Sequence, residues 1–256
     1  MQTQIVTTLE PAANSKGTNC YDILLFDLGY TLVYFEPPQE AIVQQVLQSL
    51  GLERSLEEIG SAAGAVWGDY YQDAETEEFP ATEAYDRQIQ AKLEIALLTH
   101  LGVKEAQGAL KAYADAIESR FSEPGVIRPY PEVTEVLALL VEQSYRLGIV
   151  SNWSWNLRDR VAQAGLDHFF ELIWASAYAG CNKPHPGVFE SALRQMSPPA
   201  TTSDPVLYIG DSYRHDVLGA RNAGIDAVLL DRDGTATATD CVLIRDLWGL
   251  FPLLMG

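Results

Sequence analysis

Short apolar runs that stop abruptly at a polar, chemically capable residue constrain this chain most. Ile23-Leu24-Leu25-Phe26 ends in Asp27, Leu147-Gly148-Ile149-Val150 ends in Ser151, and Val206 to Ile209 ends in Gly210-Asp211, with Asp216 five residues further on. Apolar runs of this length read as strands buried on both faces of a parallel sheet. Segments with helical spacing separate them: Val133 to Leu140, Leu157 to Ala164, Val188 to Met196 and Asp216 to Ala223. Leu172 to Ala175 and Ile225 to Leu230 read as further strands, and Val242 to Ile244 as a short edge strand before a last helix at 245–254. Alternating strands and helices predict an α/β fold, a Rossmann-like doubly wound parallel sheet with right-handed crossovers. Ligands bind such sheets beyond the C-terminal strand ends. Asp27, Ser151 and Asp211 are therefore expected at one edge.

Between Pro37 and Phe121 no strong strand run occurs. Ala41-Ile42, Val46-Leu47 and Leu50 recur at helical spacing, as do Leu93, Ala96-Leu97 and Leu101, and then Tyr113, Ile117 and Phe121. A block this long is not a loop. The expected organisation is a mobile N-terminal tail over 1–19, a core of 20–36 plus 122–256, and a helical insertion over 37–121. The tail is polar, has no apolar centre and carries Glu10 without arginine, so it reads as neither a signal nor a transit peptide.

The 256 residues are 47% apolar and 20% charged, a globular composition. The formal charge of −18 argues against nucleic-acid and anionic-membrane partners, since no basic stripe is available to meet phosphates. No apolar run approaches the ~18 residues of a membrane span. Cys20, Cys181 and Cys241 form no C-x-x-C pair, which suits a reducing compartment, and the expectation is a cytoplasmic monomer or homodimer. His100, His168, His185 and His215 show no metal-ligand spacing, although His215 stands beside Asp216.

Two carboxylates at one strand end suggest a site for a hard cation such as Mg²⁺. Arg214 lies between them as a rival partner, and either acid also suits a helix cap. A Pro-flanked loop, Asn182-Lys183-Pro184-His185-Pro186, supplies an ammonium. A hydroxyl at Ser151 with exposed backbone N–H groups, together with that ammonium, forms an anion clamp of the kind phosphoryl transfer needs.

Asp27 with Thr31, Ser151, Lys183 in Lys-Pro-x-Pro, and Gly210-Asp211 with Asp216 resemble, in order, the four motifs of the haloacid dehalogenase-like (HAD) hydrolases over about residues 21–245. The resemblance implies a HAD core with the helical insertion as a cap that selects substrate. It implies Asp27 as nucleophile, forming an aspartyl-phosphate, with Ser151 and Lys183 as catalytic clamps. It implies Mg²⁺ held by Asp27, the Gly29 carbonyl and Asp211, with Asp216 ligating or orienting a metal-bound water. Leu28, Gly29, Ser151, Asn152 and Lys183 would meet the phosphate. The expected activity is Mg²⁺-dependent hydrolysis of a small phosphorylated metabolite.

The sequence departs from the family at Gly29, where a second Asp usually serves as general acid and base, and Tyr30 follows where glycine is usual. A non-catalytic binding protein is therefore the competing reading. Metal-free dehalogenation has no use for Asp211 and Asp216, and a phosphonate hydrolase would need a cap lysine, with Lys92, Lys104 and Lys111 the candidates. In the insertion, Trp67, Tyr70, Tyr71, Glu75, Glu77 and Glu78 form an aromatic-then-acidic stretch. Trp153 and Trp155, just beyond Ser151, are candidates for leaving-group contact or for packing on the cap.

Overall fold

A computed structural model describes residues 21–73, 77–103, 106–237 and 240–255. The expected tail over 1–19, Cys20, Glu75, Lys104 and the side chain of Tyr71 lie outside what is described.

The central strand β1 (Ile23–Phe26) is buried along its whole length. Its side chains alternate between two apolar layers. Leu24 and Phe26 join one, with Val133, Val136, Leu137 and Leu140, while Ile23 and Leu25 join the other, with Val188, Phe189, Ala192 and Leu193. A strand with no polar face can lie only between two layers of helices. After β1 the chain turns at Tyr30, in the left-handed region at φ 56°, and forms β2 (Val33–Phe35). Four helices follow: α1 (Gln39–Ser49), α2 (Leu56–Asp73), α3 (Glu83–His100) and α4 (Ala106–Phe121). The strand β3 (Ile127–Pro129) then returns to pair antiparallel with β2. The four helices thus leave and re-enter the core through one two-stranded stem.

Beyond β3, strands and helices alternate: α5 (Val133–Glu142), β4 (Arg146–Ser151), α6 (Leu157–Gln163), β5 (Leu172–Ala175), α7 (Ser176–Ala179), α8 (Pro186–Gln195) and β6 (Val206–Gly210). A π-helical turn, Tyr213–Leu218, leads to α9 (Gly219–Asn222), then β7 (Asp226–Leu230), β8 (Val242–Ile244) and α10 (Leu250–Leu254). The sheet order is β5-β4-β1-β6-β7-β8, and all five pairings are parallel. The order reverses around β1, so β4 and β6 flank it with their C-terminal ends together. That switch point is where open α/β sheets bind ligands.

Three local expectations need correction. The helix expected from Asp216 begins at Tyr213 as the π turn, because Ser212 caps it by accepting from the His215 amide. The last helix is only α10, preceded by a 3₁₀ turn at Leu247–Gly249. Arg245 is drawn away to the Asp231 carboxylate at 2.5 Å, and Asp246 caps the turn. The insertion holds a fourth helix, α2, where the sequence suggested only an aromatic-then-acidic stretch. Gly60, Gly64 and Gly68 lower its propensity, but Ile59, Ala62 and Val66 are buried and carry it by packing. Its start is signed by a capping box: Ser55 Oγ accepts from Glu58 N while Ser55 N donates to Glu58 Oε2 at 2.7 Å. No helix among the described residues is long and apolar enough to cross a membrane.

Candidate active site

Four chain segments converge at the switch point. Asp27 follows β1, Ser151 closes β4, Lys183 arrives on the loop after α7, and Asp211 follows β6. Ser151 Oγ donates to Asp27 Oδ1 at 2.8 Å. Lys183 Nζ donates to the same oxygen at 2.7 Å, to Asp216 Oδ1 at 2.6 Å and to the Tyr208 hydroxyl at 2.7 Å. Asp27 Oδ2 accepts no hydrogen bond among the described residues. Tyr208 passes its own proton to Val150 O at 2.6 Å. Every donor of the Lys183 ammonium is thereby used in a site where a lone charge would be costly.

The loop carrying Lys183 is fixed by Asn152, whose Oδ1 accepts from Lys183 N at 2.7 Å and whose Nδ2 donates to Lys183 O at 3.0 Å. Asp216 folds back across β6: Oδ2 accepts from Ser212 N at 2.8 Å, and a Cβ on Gly210 would stand 2.2 Å from Asp216 Cγ. Gly210 is needed to let that carboxylate in. Thr31 Oγ1 donates to Asp211 Oδ1 at 3.1 Å, tying the turn after β1 to the end of β6. Arg232 braces the same turn. It donates to Thr31 O at 2.7 Å and to Glu132 Oε1 at 2.8 Å, and lies 3.6 Å over the Tyr130 ring.

Three carboxylates share one lysine here, and their electrostatics show it. Burial raises the pKa of Asp27, and the Asp216 charge adds to the rise, while Lys183 opposes it. Asp211 opens to the cleft, yet the protein around its carboxyl still desolvates it; this, with the charges of Asp27 and Asp216, pushes it up to about 7. Burial alone would lower Lys183, but Asp216 and Asp27 outweigh it and hold the ammonium charged.

A haloacid dehalogenase-like hydrolase family model matches residues 24–230, most of the chain and all of this constellation. The chain belongs to the haloacid dehalogenase-like hydrolases. Phosphoserine phosphatase of Thermus thermophilus is 30% identical over 82% of the chain and 88% of its own length. Glyceraldehyde 3-phosphate phosphatase of Methanothermobacter thermautotrophicus is 34% identical over 46% of the chain, and the match spans about half (51%) of that relative's length. In fold, the HAD hydrolase YfnB of Bacillus subtilis, a magnesium-bound structure, superposes with a TM-score of 0.70 at 21% identity, over 91% of this chain and 98% of that one.

In this HAD hydrolase the cluster faces a cleft of about 570 Å³ between the core and the four helices. Asp27, Gly29, Ser151, Asn152, Lys183, Asp211 and Asp216 all line it, as does His215. Leu28 does not: its side chain is fully buried in the core, so any contact it makes with a ligand belongs to its backbone. The hard-oxygen donors suit a divalent cation, because three acids stand against one ammonium and repel one another. Among the described residues no three acidic, His or Cys side chains are close enough to cage an ion alone. A Mg²⁺ ion takes one or two carboxylates and keeps waters or phosphate oxygens. Both oxygens of Asp216 are already engaged, so Asp27, Gly29 and Asp211 are the better-placed donors.

Gly29 brings no carboxylate to the cleft, and Trp153 occupies the space beside it. A Cβ built on Gly29 would meet Trp153 Cζ3 at 3.5 Å. Trp153 lines the cleft and stacks on Phe35, with centroids 6.4 Å apart. Trp155 instead packs edge-on against Tyr178 and gives its amide to Asp86. From the aromatic-then-acidic stretch Trp67 and Tyr70 line the cleft, whereas Glu77 and Glu78 are exposed and do not. Lys92 and Lys111 are exposed and outside the lining, where Lys183 is the one lysine among the described residues. Tyr208, Arg232 and Glu94 were not singled out by the sequence, and Tyr113 stood there only as a helix position. Only Tyr208 carried a signal, as the polar residue inside an otherwise apolar strand.

Proposed function

We propose that this hydrolase is a Mg²⁺-dependent phosphatase of a small phosphorylated metabolite, working through an aspartyl-phosphate on Asp27. The observation that carries the reading is the Asp27 carboxylate itself: Oδ1 is held by Ser151 and Lys183, Oδ2 accepts no hydrogen bond among the described residues, and the group faces the cleft. Asp27 attacks phosphorus, the ester oxygen departs with the bonding pair, and water later cleaves the acyl phosphate to regenerate the carboxylate. Ser151 and Lys183 stay on the transferring group and stabilise its charge. Mg²⁺, on Asp27, the Gly29 carbonyl and Asp211, would supply charge neutralisation between the carboxylate and the phosphoryl dianion. Asp216 holds Lys183 in place.

The relatives that match most of the chain support phosphate ester chemistry. One is the phosphoserine phosphatase; another is pyrimidine 5'-nucleotidase PynA of Streptococcus pneumoniae, 26% identical over 81% of the chain. Gly29 shapes the rates: with no carboxylate there to protonate the leaving oxygen, esters with good leaving groups should turn over fastest and alkyl esters more slowly. The cap role of α1–α4, a cytoplasmic location (buried free Cys181 and Cys241 suit it) and a monomer or homodimer complete the reading.

The test is hydrolysis of para-nitrophenyl phosphate and acetyl phosphate with Mg²⁺ and with excess EDTA. Release that requires Mg²⁺ supports the reading. Undiminished release in EDTA rejects the metal, and no release on either substrate favours a protein that binds without turnover.

A further inference from the structure

We propose that the part of the cleft between α3 and α4 is a subsite for a protonated amine on the leaving group of the phosphorylated substrate. The inference rests on the phosphatase reading and names the substrate class for it.

Glu94 on α3 and Tyr113 on α4 line the cleft. Neither makes a hydrogen bond or ion pair among the described residues. Tyr113 is only 2% exposed. The one fully enclosed side-chain polar atom without a partner among the described residues is Arg232 Nε, so the Tyr113 hydroxyl is not sealed in packed protein but opens on the cavity. A buried hydroxyl and a desolvated carboxylate, both unpartnered and facing one space, are two groups awaiting a ligand.

The charge balance selects the ligand. Glu40, Asp86 and Glu118 line the same cleft. Lys183 is committed to Asp27 and Asp216, and the one arginine in the lining among the described residues, Arg160, is taken: Nη2 meets both Glu118 oxygens at 2.6 and 2.7 Å, and Nη1 meets Ser122 and Gln163. A second phosphate or a carboxylate on the substrate would find no uncommitted lysine or arginine in this lining among the described residues. An ammonium would find the Glu94 carboxylate and the Tyr113 oxygen as acceptors, and would offset the repulsion between Glu94 and Glu118 that, after desolvation, keeps Glu94 protonated up to about 7. Apolar walls from Trp67, Leu93, Leu97 and Ile117 suit the carbon chain that joins the amine to the phosphate.

The experiment compares ω-aminoalkyl phosphates of graded chain length with their ω-hydroxyalkyl and ω-carboxyalkyl counterparts, with Mg²⁺, beside para-nitrophenyl phosphate. At the length that reaches Glu94, the amine should exceed the hydroxyl compound in kcat/KM by about tenfold, as one charge-assisted hydrogen bond gives, and the carboxylate should be poorest. Glu94→Gln should bring the amine-to-hydroxyl ratio towards one, and Glu94→Asp should keep part of it. If Glu94→Gln does not fold, the wild-type ratios still decide. Turnover of para-nitrophenyl phosphate with no amine preference at any length, or a ratio unchanged in Glu94→Gln, overturns the subsite alone. No turnover of any compound overturns the phosphatase reading and the subsite with it.

Discussion

Lys183 Nζ lies 2.6 Å from Asp216 Oδ1, and each side chain is only 2% exposed. A buried pair of this kind is expensive to break, because removing one partner strands the other without water. Asp216→Asn should therefore lower stability by about 3 kcal/mol in a denaturant titration. It should also loosen the ammonium that bonds Asp27. A loss below about 0.5 kcal/mol, the level of an exposed pair, would mean that the pair does not organise the site.

Gly210 admits Asp216 by having no side chain. Gly210→Ala would place a methyl 2.2 Å from Asp216 Cγ and 2.3 Å from its Oδ2. We expect a loss of 1–3 kcal/mol or more, as overpacking gives (about that range in packed cores), together with a collapse of activity as Asp216 and Lys183 shift. Melting and rates measured on the same preparation would check this; wild-type values for both would contradict it.

Trp153 stands beside Gly29, the position at which the family resemblance would put a general acid. Gly29→Asp has room for its Cβ, at 3.5 Å from the indole, but its carboxylate must pass the ring. The single substitution should gain little on poor leaving groups. Gly29→Asp with Trp153→Ala should gain more, up to about 10²-fold, the low end of what general acid catalysis supplies. Equal rates for the double variant and Trp153→Ala alone would show that proton delivery is not what limits the reaction.

Glu94 gives a pH signature. Desolvation first, and then Glu118, raise its pKa from the ordinary 4.5 to about 7, while Tyr113 faces it from α4. Between those two values the folded protein keeps a proton that the unfolded chain has released. Stability therefore falls as pH rises through that window. Glu94→Gln removes the effect. The variant should match wild type at pH about 4 and be more stable at pH about 8, on the order of 1 kcal/mol once solvent screening is allowed for. A parallel pH dependence in the two proteins would rule it out.

The strand ends were legible because parallel strands buried on both faces leave unbroken apolar runs, and Asp27, Ser151 and Asp211 punctuate them. Helices α1, α3 and α4 were legible from spacing, but α2 was not, since its glycines broke the apolar repeat that its packing restores. Tyr208 and Arg232 escaped for a different reason. Tyr208 matters through Lys183, and Arg232 through Thr31, 201 positions away. Local patterns carry no trace of such pairings. Glu94 and Tyr113 look like ordinary helical residues until α3 and α4 are packed together and each is seen to lack a hydrogen-bond partner among the described residues.

The most direct test is acetyl phosphate hydrolysis by wild type and Asp27→Asn, with Mg²⁺ and with excess EDTA, after circular dichroism has shown both folded. Wild type should release phosphate only with Mg²⁺, and Asp27→Asn should release none under either condition. Phosphate release by Asp27→Asn at an appreciable fraction of the wild-type rate would contradict an Asp27 nucleophile, and with it the proposed mechanism.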